Sequence, residues 1–339
     1  MSAPYVALGD SFSAGIGSDT AGTQIRREGG FPVLLARDLG MDLAYQAFIG
    51  ATVDNVLLVQ LGPLATDTAL VTLTVGGNDA GFVPVLIACA QPAWLSDGLR
   101  TLRTTMAHAR RELPDRLDRL YRAIRDRAPD ARVVVADYPD LFAGVDCQAL
   151  TFFSSAEMAA INAAGAELSG LMADAAARHG AHFVSVRSTY AGHELCRPEP
   201  WLHGLSWPVD SSFHPTTRGH AAYAQVIGPV ARDVGPKAPA ISRGLQPAGL
   251  RAAGRGPRVA EGPRARGSGG RFRLPDLLAP QNLDAAERHG LNRAEVADLA
   301  ARIPRGQRAV APDAPPPDPD VVARLRELDA RVRRRTGRP

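Results

Sequence analysis

Four short polar signals in this chain carry the residue types that acyl transfer requires. Ser11, in Gly9-Asp10-Ser11-Phe12-Ser13, offers a hydroxyl nucleophile directly after the apolar run Pro4-Tyr5-Val6-Ala7-Leu8. A free serine hydroxyl is a poor nucleophile near neutral pH and needs a base to take its proton. His214, in Ser211-Ser212-Phe213-His214-Pro215, is the candidate base. The oxyanion of a tetrahedral intermediate needs fixed donors, and the main-chain N–H groups of Ser11 and Gly50 and the side-chain amide of Asn78 could supply three. Glycine at position 50 suits a close approach of backbone to substrate, and Gly76-Gly77 would turn the chain tightly enough to aim Asn78.

Plainer uses compete for the same residues. Ser11 by itself fits a helix cap as well as a nucleophile, and Asp10 and Asp79 read as caps or turn formers beside it. His220 is a rival base, although a histidine inside a helix more often packs or faces solvent. His193 and His203 flank Cys196 without completing a ligand set, so neither a metal nor any other cofactor is expected. Gly15-Ile16-Gly17 lacks the third glycine of a dinucleotide fingerprint, and Asp19 follows too closely to serve a ribose. No Gly-x-Ser-x-Gly elbow occurs, which argues against the α/β-hydrolase route to this chemistry. Trp94, Trp201 and Trp207 fall in loops and would either line an acyl pocket or anchor those loops.

The elements that must position these residues are legible in the hydrophobic pattern. Short apolar runs at Pro4–Leu8, Asp42–Phe48, Ala69–Val75, Ala131–Asp137 and Ala181–Val186 alternate with helical segments, the signature of βαβ units around a parallel sheet. The helical stretches are Phe31–Leu39, Val53–Leu61, a long Arg-rich one over Leu95–Arg127, Ser155–His179 and Thr216–Arg232. Ser154-x-x-Glu157 is a capping box that starts the fourth of them. Five parallel strands with crossover helices predict a three-layer α/β/α sandwich of the flavodoxin-like kind. In such a sheet all carboxyl ends share one edge, so Ser11, Gly50, Asn78 and His214, which follow strands one, two, three and five, converge there.

Taken together, Gly9-Asp10-Ser11, the lone Gly50 before Ala51-Thr52, Gly77-Asn78-Asp79 and His214-Pro215 resemble the four sequence blocks of the SGNH (GDSL) hydrolase family, in order, over about residues 4–232. Gly-Gly-Asn-Asp and Ser-Phe-His-Pro are similar to its actinobacterial esterase and lipase branch. The resemblance implies a metal-independent serine esterase or lipase with a Ser11–His214 pair, the three oxyanion donors above, an acyl-enzyme, and small-molecule or lipid acyl esters as substrates. The family usually has Asp three residues before the histidine; that position is Ser211 here, with Asp210 one residue further away. Some members of the branch use a main-chain carbonyl there instead, so the Ser211 carbonyl is expected to hold the His214 ring, with Asp210 as rival. The branch is commonly secreted with three disulfides, whereas three cysteines allow at most one pair here.

Length and composition set the remaining bounds. With 339 residues, 45% of them apolar, the chain can bury a sizeable core. No apolar run approaches the roughly 18–20 residues that span a bilayer, so stable membrane insertion is not expected. No signal peptide is seen and the sequence reads as cytoplasmic, although a secreted protein trimmed of its leader would read the same. Residues 1–235 carry 18 Arg against 24 acids, a net of −6, and residues 236–339 carry 21 basic residues against 11 acids, a net of +10. Hence residues 1–235 are expected to form the hydrolase domain, 236–282 a Gly/Pro/Arg-rich linker, and 283–339 a basic, mostly disordered tail with helical patterns at Asp284–Ile303 and Asp320–Arg335. Val321, Leu325 and Leu328 share one face of the second pattern, which would dock on a partner, on the body, or not at all. A flavodoxin-like binding module whose basic tail contacts nucleic acid is the alternative function. The tail lacks interleaved aromatics, so nucleic acid is not expected, and the protein is expected to be a monomer. Cys147 and Cys196 lie in loop-like stretches and are the expected disulfide pair, leaving Cys89 buried after an apolar helix.

Overall fold

A computed structural model describes residues 4–20, 22–23, 25–233, 272–303, 311 and 313–339. The expected linker falls largely on residues 234–271, outside the described residues. Five strands, β1 (Tyr5–Gly9), β4 (Leu43–Tyr45), β5 (Leu70–Thr74), β6 (Arg132–Ala136) and β7 (His182–Val184), form one sheet in the order β4-β1-β5-β6-β7. All four pairings are parallel. A ribbon of two residues per strand, β2 (Gly22–Thr23) and β3 (Arg26–Arg27), stands apart. Every residue of β1 and β5 is buried, as continuous apolar strands covered on both faces must be.

Helices α1 (Phe31–Leu39) and α7 (Thr217–Arg232) pack together on one face of the sheet, where Phe31 and Tyr223 stack with centroids 5.3 Å apart. Helices α3 (Phe82–Ala90), α4 (Gly98–Arg127) and α5 (Ser155–Arg178) pack on one another to form the other layer. The result is the expected α/β sandwich. The capping box at Ser154 and Glu157 forms as read. The stretch expected as one helix over Val53–Leu61 is instead a turn of α-helix, α2 (Val53–Asn55), followed by a wider π turn, Val56–Gln60. That turn places the Gln60 carboxamide against Gly9, where it accepts the Gly9 N–H at 2.8 Å and donates to the Gly9 carbonyl at 2.9 Å. A four-residue helix, α6 (Arg187–Tyr190), follows β7.

Beyond residue 272 the described chain is helical and packed, where only two helical patterns in a mostly disordered tail were expected. The pattern at Asp284–Ile303 divides at Gly290 into α8 (Pro280–Arg288) and α9 (Arg293–Ala301), and α10 (Pro319–Thr336) follows. Val321, Leu325 and Leu328 dock on the body, forming a second core with Trp94 and Phe152. The sequence could not show this, because the partner surface comes from loops near residues 93 and 152. Arg333 clamps the contact: it bonds the Phe152 carbonyl at 2.9 Å and pairs with Glu157 at 3.1 Å and Asp329 at 2.7 Å. Burial pushes both carboxyls up despite the guanidinium beside them. Removing one partner of a buried ion pair strands the other charge and costs about 3–5 kcal/mol. Arg333→Met is therefore expected to lower unfolding free energy by about that much in urea titrations; a loss within experimental error would show that the clamp contributes nothing.

Candidate functional site

The carboxyl edge of the sheet, at the switch point between β1 and β5, is where open α/β sheets place ligands. Gly9 ends β1 with φ +124°, and a Cβ there would lie 2.2 Å from the Thr74 carbonyl oxygen, so only glycine fits. Its pairing with Gln60, and the Ser13 hydroxyl accepting the Thr74 N–H at 3.1 Å, fix the turn that follows. Ser11 sits in that turn, nearly buried.

The His214 Nε2 lies 2.7 Å from the Ser11 Oγ. The other ring nitrogen, Nδ1, is 3.0 Å from the main-chain carbonyl of Ser212. A carbonyl can only accept, so Nδ1 carries the proton and Nε2 presents its lone pair to the Ser11 hydroxyl. Ser212 here corrects the expectation of Ser211 or Asp210. Residues Val209–Ser211 form a 3₁₀ turn, and the Ser211 carbonyl is taken by the main-chain N–H of His214 at 3.2 Å. Phe213 then adopts φ +62°, and the carbonyl just before it meets the ring. The Asp210 main chain also favours the protonated ring, but as backbone rather than as the carboxylate rival. Burial outweighs both effects and, with His220 and His203 nearby, draws His214 down to about 4.

Donors converge on the same place. Gly50 turns at φ +77°, open to glycine at little cost. Among the described residues no acceptor takes the main-chain N–H of Ser11 or Gly50. Asn78 donates one amide hydrogen to the Ala51 carbonyl at 2.9 Å, which orients the amide and leaves its second hydrogen unclaimed. Asp79 accepts the Val53 N–H at 3.0 Å and pairs with Arg116 at 3.4 Å, tying the Asn78 loop to α2. Asp10 accepts the Phe12 N–H at 3.0 Å and the Tyr138 hydroxyl at 2.6 Å, and that hydroxyl in turn accepts the Gly77 N–H at 3.0 Å. Burial pushes Asp10 up to about 7 against those two hydrogen bonds.

A cavity of about 320 Å³ opens beside Ser11, Gly50, Asn78 and His214, walled by Phe12, Ile49, Phe82, Leu86, Leu141, Ile161, Phe213 and Phe272. None of the three tryptophans lines it, which corrects one of their two expected uses. Trp94 belongs to the second core, Trp201 stacks on His193 at 3.7 Å, and Trp207 is exposed. His220 is buried with Nε2 3.0 Å from the Ile16 carbonyl, and His203 Nε2 is 2.7 Å from the Gly17 carbonyl, so both brace the loop after Ser11. Among the described residues no group of His, Cys, Asp and Glu could hold a metal ion. Cys147 and Cys196 are joined as a disulfide, and Cys89 is buried within α3 itself. Tyr138, Gln60, Ser212 and Phe272 escaped the sequence reading. Only Tyr138 had a usable signal, since it too follows a strand, β6. The arrangement pairs a hydroxyl with a neutral base, surrounds them with unclaimed donors, and opens onto an apolar wall. We expect the His214 imidazole resonances to titrate near pH 4; a midpoint near 6.5 would mean the ring is solvated rather than desolvated.

Comparison with known proteins shows the family to which the chain belongs. Residues 7–222 match the model of the GDSL-like lipase/acylhydrolase family. A lipase of Streptomyces rimosus is 40% identical over 223 residues, which is 64% of this chain and 82% of that one. Lipase 1 of Streptomyces coelicolor is 40% identical over 224 residues, with the same shares of 64% and 82%. The crystal structure of phospholipase A1 from Streptomyces albidoflavus NA297 is similar with a TM-score of 0.63 and 34% identity, over 68% of this chain and 99% of that one. That of the extracellular lipase of Streptomyces rimosus has a TM-score of 0.60 and 38% identity, over 66% of this chain and 98% of that one.

Proposed function

Because the chain belongs to the GDSL-like lipase/acylhydrolase family and is a carboxylic ester hydrolase, we propose that it works through Ser11 and His214 by way of an acyl-enzyme. The observation that carries this reading is the 2.7 Å contact between the Ser11 Oγ and the His214 Nε2 at the edge of the apolar cavity. In the first half-reaction Oγ attacks the ester carbonyl carbon while its proton passes to Nε2. The carbonyl oxygen becomes an oxyanion held by the N–H groups of Ser11 and Gly50 and the Asn78 amide. The C–O bond to the alcohol then breaks, and the leaving oxygen takes the proton from Nε2. Water repeats the sequence on acyl-Ser11, with Nε2 as base, and frees the acid. The Ser212 carbonyl keeps the ring in its productive tautomer, the task a carboxylate performs in many serine hydrolases.

An apolar cavity accepts an acyl chain, so lipid or other acyl esters are the proposed substrates. The names of the Streptomyces lipases and phospholipase point the same way. The nucleic-acid alternative gains little, because Arg302, Arg324, Arg326, Arg333 and Arg338 in the tail each hold an acidic or carbonyl partner within the chain. Residues 1–235 are proposed to carry the chemistry, and the protein is proposed to act as a monomer. The disulfide suits an oxidising compartment, so we propose that the protein works outside the cytoplasm rather than within it as the sequence alone reads, with recovery of activity from culture medium rather than cells as the check.

Ser11→Ala is expected to abolish hydrolysis of p-nitrophenyl butyrate and labelling by a fluorophosphonate; a Ser11→Ala protein as active as the parent would end the reading. Asn78→Ala is expected to lower kcat by on the order of 10² to 10³ with an unchanged circular dichroism spectrum, the loss typical of one oxyanion donor.

A further inference from the structure

We propose that Phe272, from the C-terminal extension that lies outside the family-matched stretch, is the stop that limits the length of acyl chain the pocket admits. The inference rests on the ester-hydrolase reading above and adds a specificity-determining residue that the first 235 residues do not contain. Phe272 is 7% exposed and belongs to the main core of the body. Its ring lies edge-to-face on Phe213, with centroids 5.0 Å apart. Phe213 precedes His214 and lines the same cavity as Ser11, so the two rings together form one wall of it.

The ring is held in place from its C-terminal side. Leu274 packs on the body's core, while Leu277 enters the second core with Trp94 and Phe152. Arg333 and Arg338 then bind main-chain carbonyls of the body, at 2.9 Å for Phe152 and 2.6 Å for Ala93. A few residues thus connect the cavity wall to a docked helical unit. An aromatic side chain is a large apolar volume; truncating it at a cavity wall lengthens the cavity there, and one well-placed apolar group discriminates substrates about tenfold or more.

The experiment compares kcat/KM for p-nitrophenyl decanoate and p-nitrophenyl butyrate in the full chain, Phe272→Ala and Phe272→Trp. Phe272→Ala is expected to raise the decanoate-to-butyrate ratio on the order of tenfold, and Phe272→Trp to lower it. A purely structural role predicts equal losses on both esters with unchanged ratios. Ratios within about twofold of the parent, or moving in the same direction in both variants, overturn the proposal. If Phe272→Ala does not fold, Phe272→Leu and Phe272→Trp decide it by the same ratio. Labelling rates with short-chain and long-chain alkyl fluorophosphonates give a second readout. A parent protein that reacts with neither ester nor fluorophosphonate sinks the ester-hydrolase reading and this inference with it, whereas a reactive parent with unmoved ratios sinks this inference alone.

Discussion

The shared carboxyl edge of a parallel sheet is the constraint from which the rest of this molecule follows. Ser11 and His214 are 203 residues apart in the chain, yet their reactive atoms meet at 2.7 Å. No local preference brings two side chains together over that separation. β1 must lie next to both β4 and β5 for the loops ending in Gly50 and Asn78 to arrive beside Ser11, and the order β4-β1-β5-β6-β7 meets that condition. Each crossover returns the chain to the same end of the sheet. Residues that follow different strands therefore become neighbours without any sequence relation between them.

Fine positioning at that edge depends on buried hydrogen bonds made within the chain. Gln60 replaces water for both main-chain groups of Gly9, and Tyr138 links Asp10 to Gly77 through one hydroxyl. An unpaired polar group at such depth costs about 1–3 kcal/mol, so each link also resists displacement of the loop it holds. The same logic explains the histidine. Its ring needs only one acceptor at Nδ1 to select a tautomer, and a carbonyl supplies that without burying another charge.

The extension after residue 272 has a different physical basis. Two of its helices, α8 and α9, have nine residues each, and isolated helices of that length are marginal in water. The extension persists because Val321, Leu325, Leu328 and Val332 of α10 share a core with loop residues of the body, and because Arg333 satisfies carboxylates from both sides. Phe272, where the described part of the extension begins, lines the cavity, so a residue beyond the family-matched stretch furnishes part of its wall.

The order of elements was written in local pattern. Continuous apolar runs specify buried strands, Ser154 and Glu157 specify where α5 begins, and turn residues after each strand specify which side chains reach the edge. Those signals depend only on near neighbours, so the five strands, the sandwich and the grouping of Ser11, Gly50, Asn78 and His214 were readable from the sequence by itself. Contacts between distant loops were not. Ser212 rather than Ser211 faces the His214 ring because a 3₁₀ turn and a left-handed Phe213 redirect one carbonyl. Gln60 reaches Gly9 because a helix widens into a π turn, and Phe272 reaches the cavity wall by packing its ring on Phe213. These outcomes rest on packing between segments far apart in the chain, where no periodicity or cap signal records the partner, and only the tertiary structure could decide them.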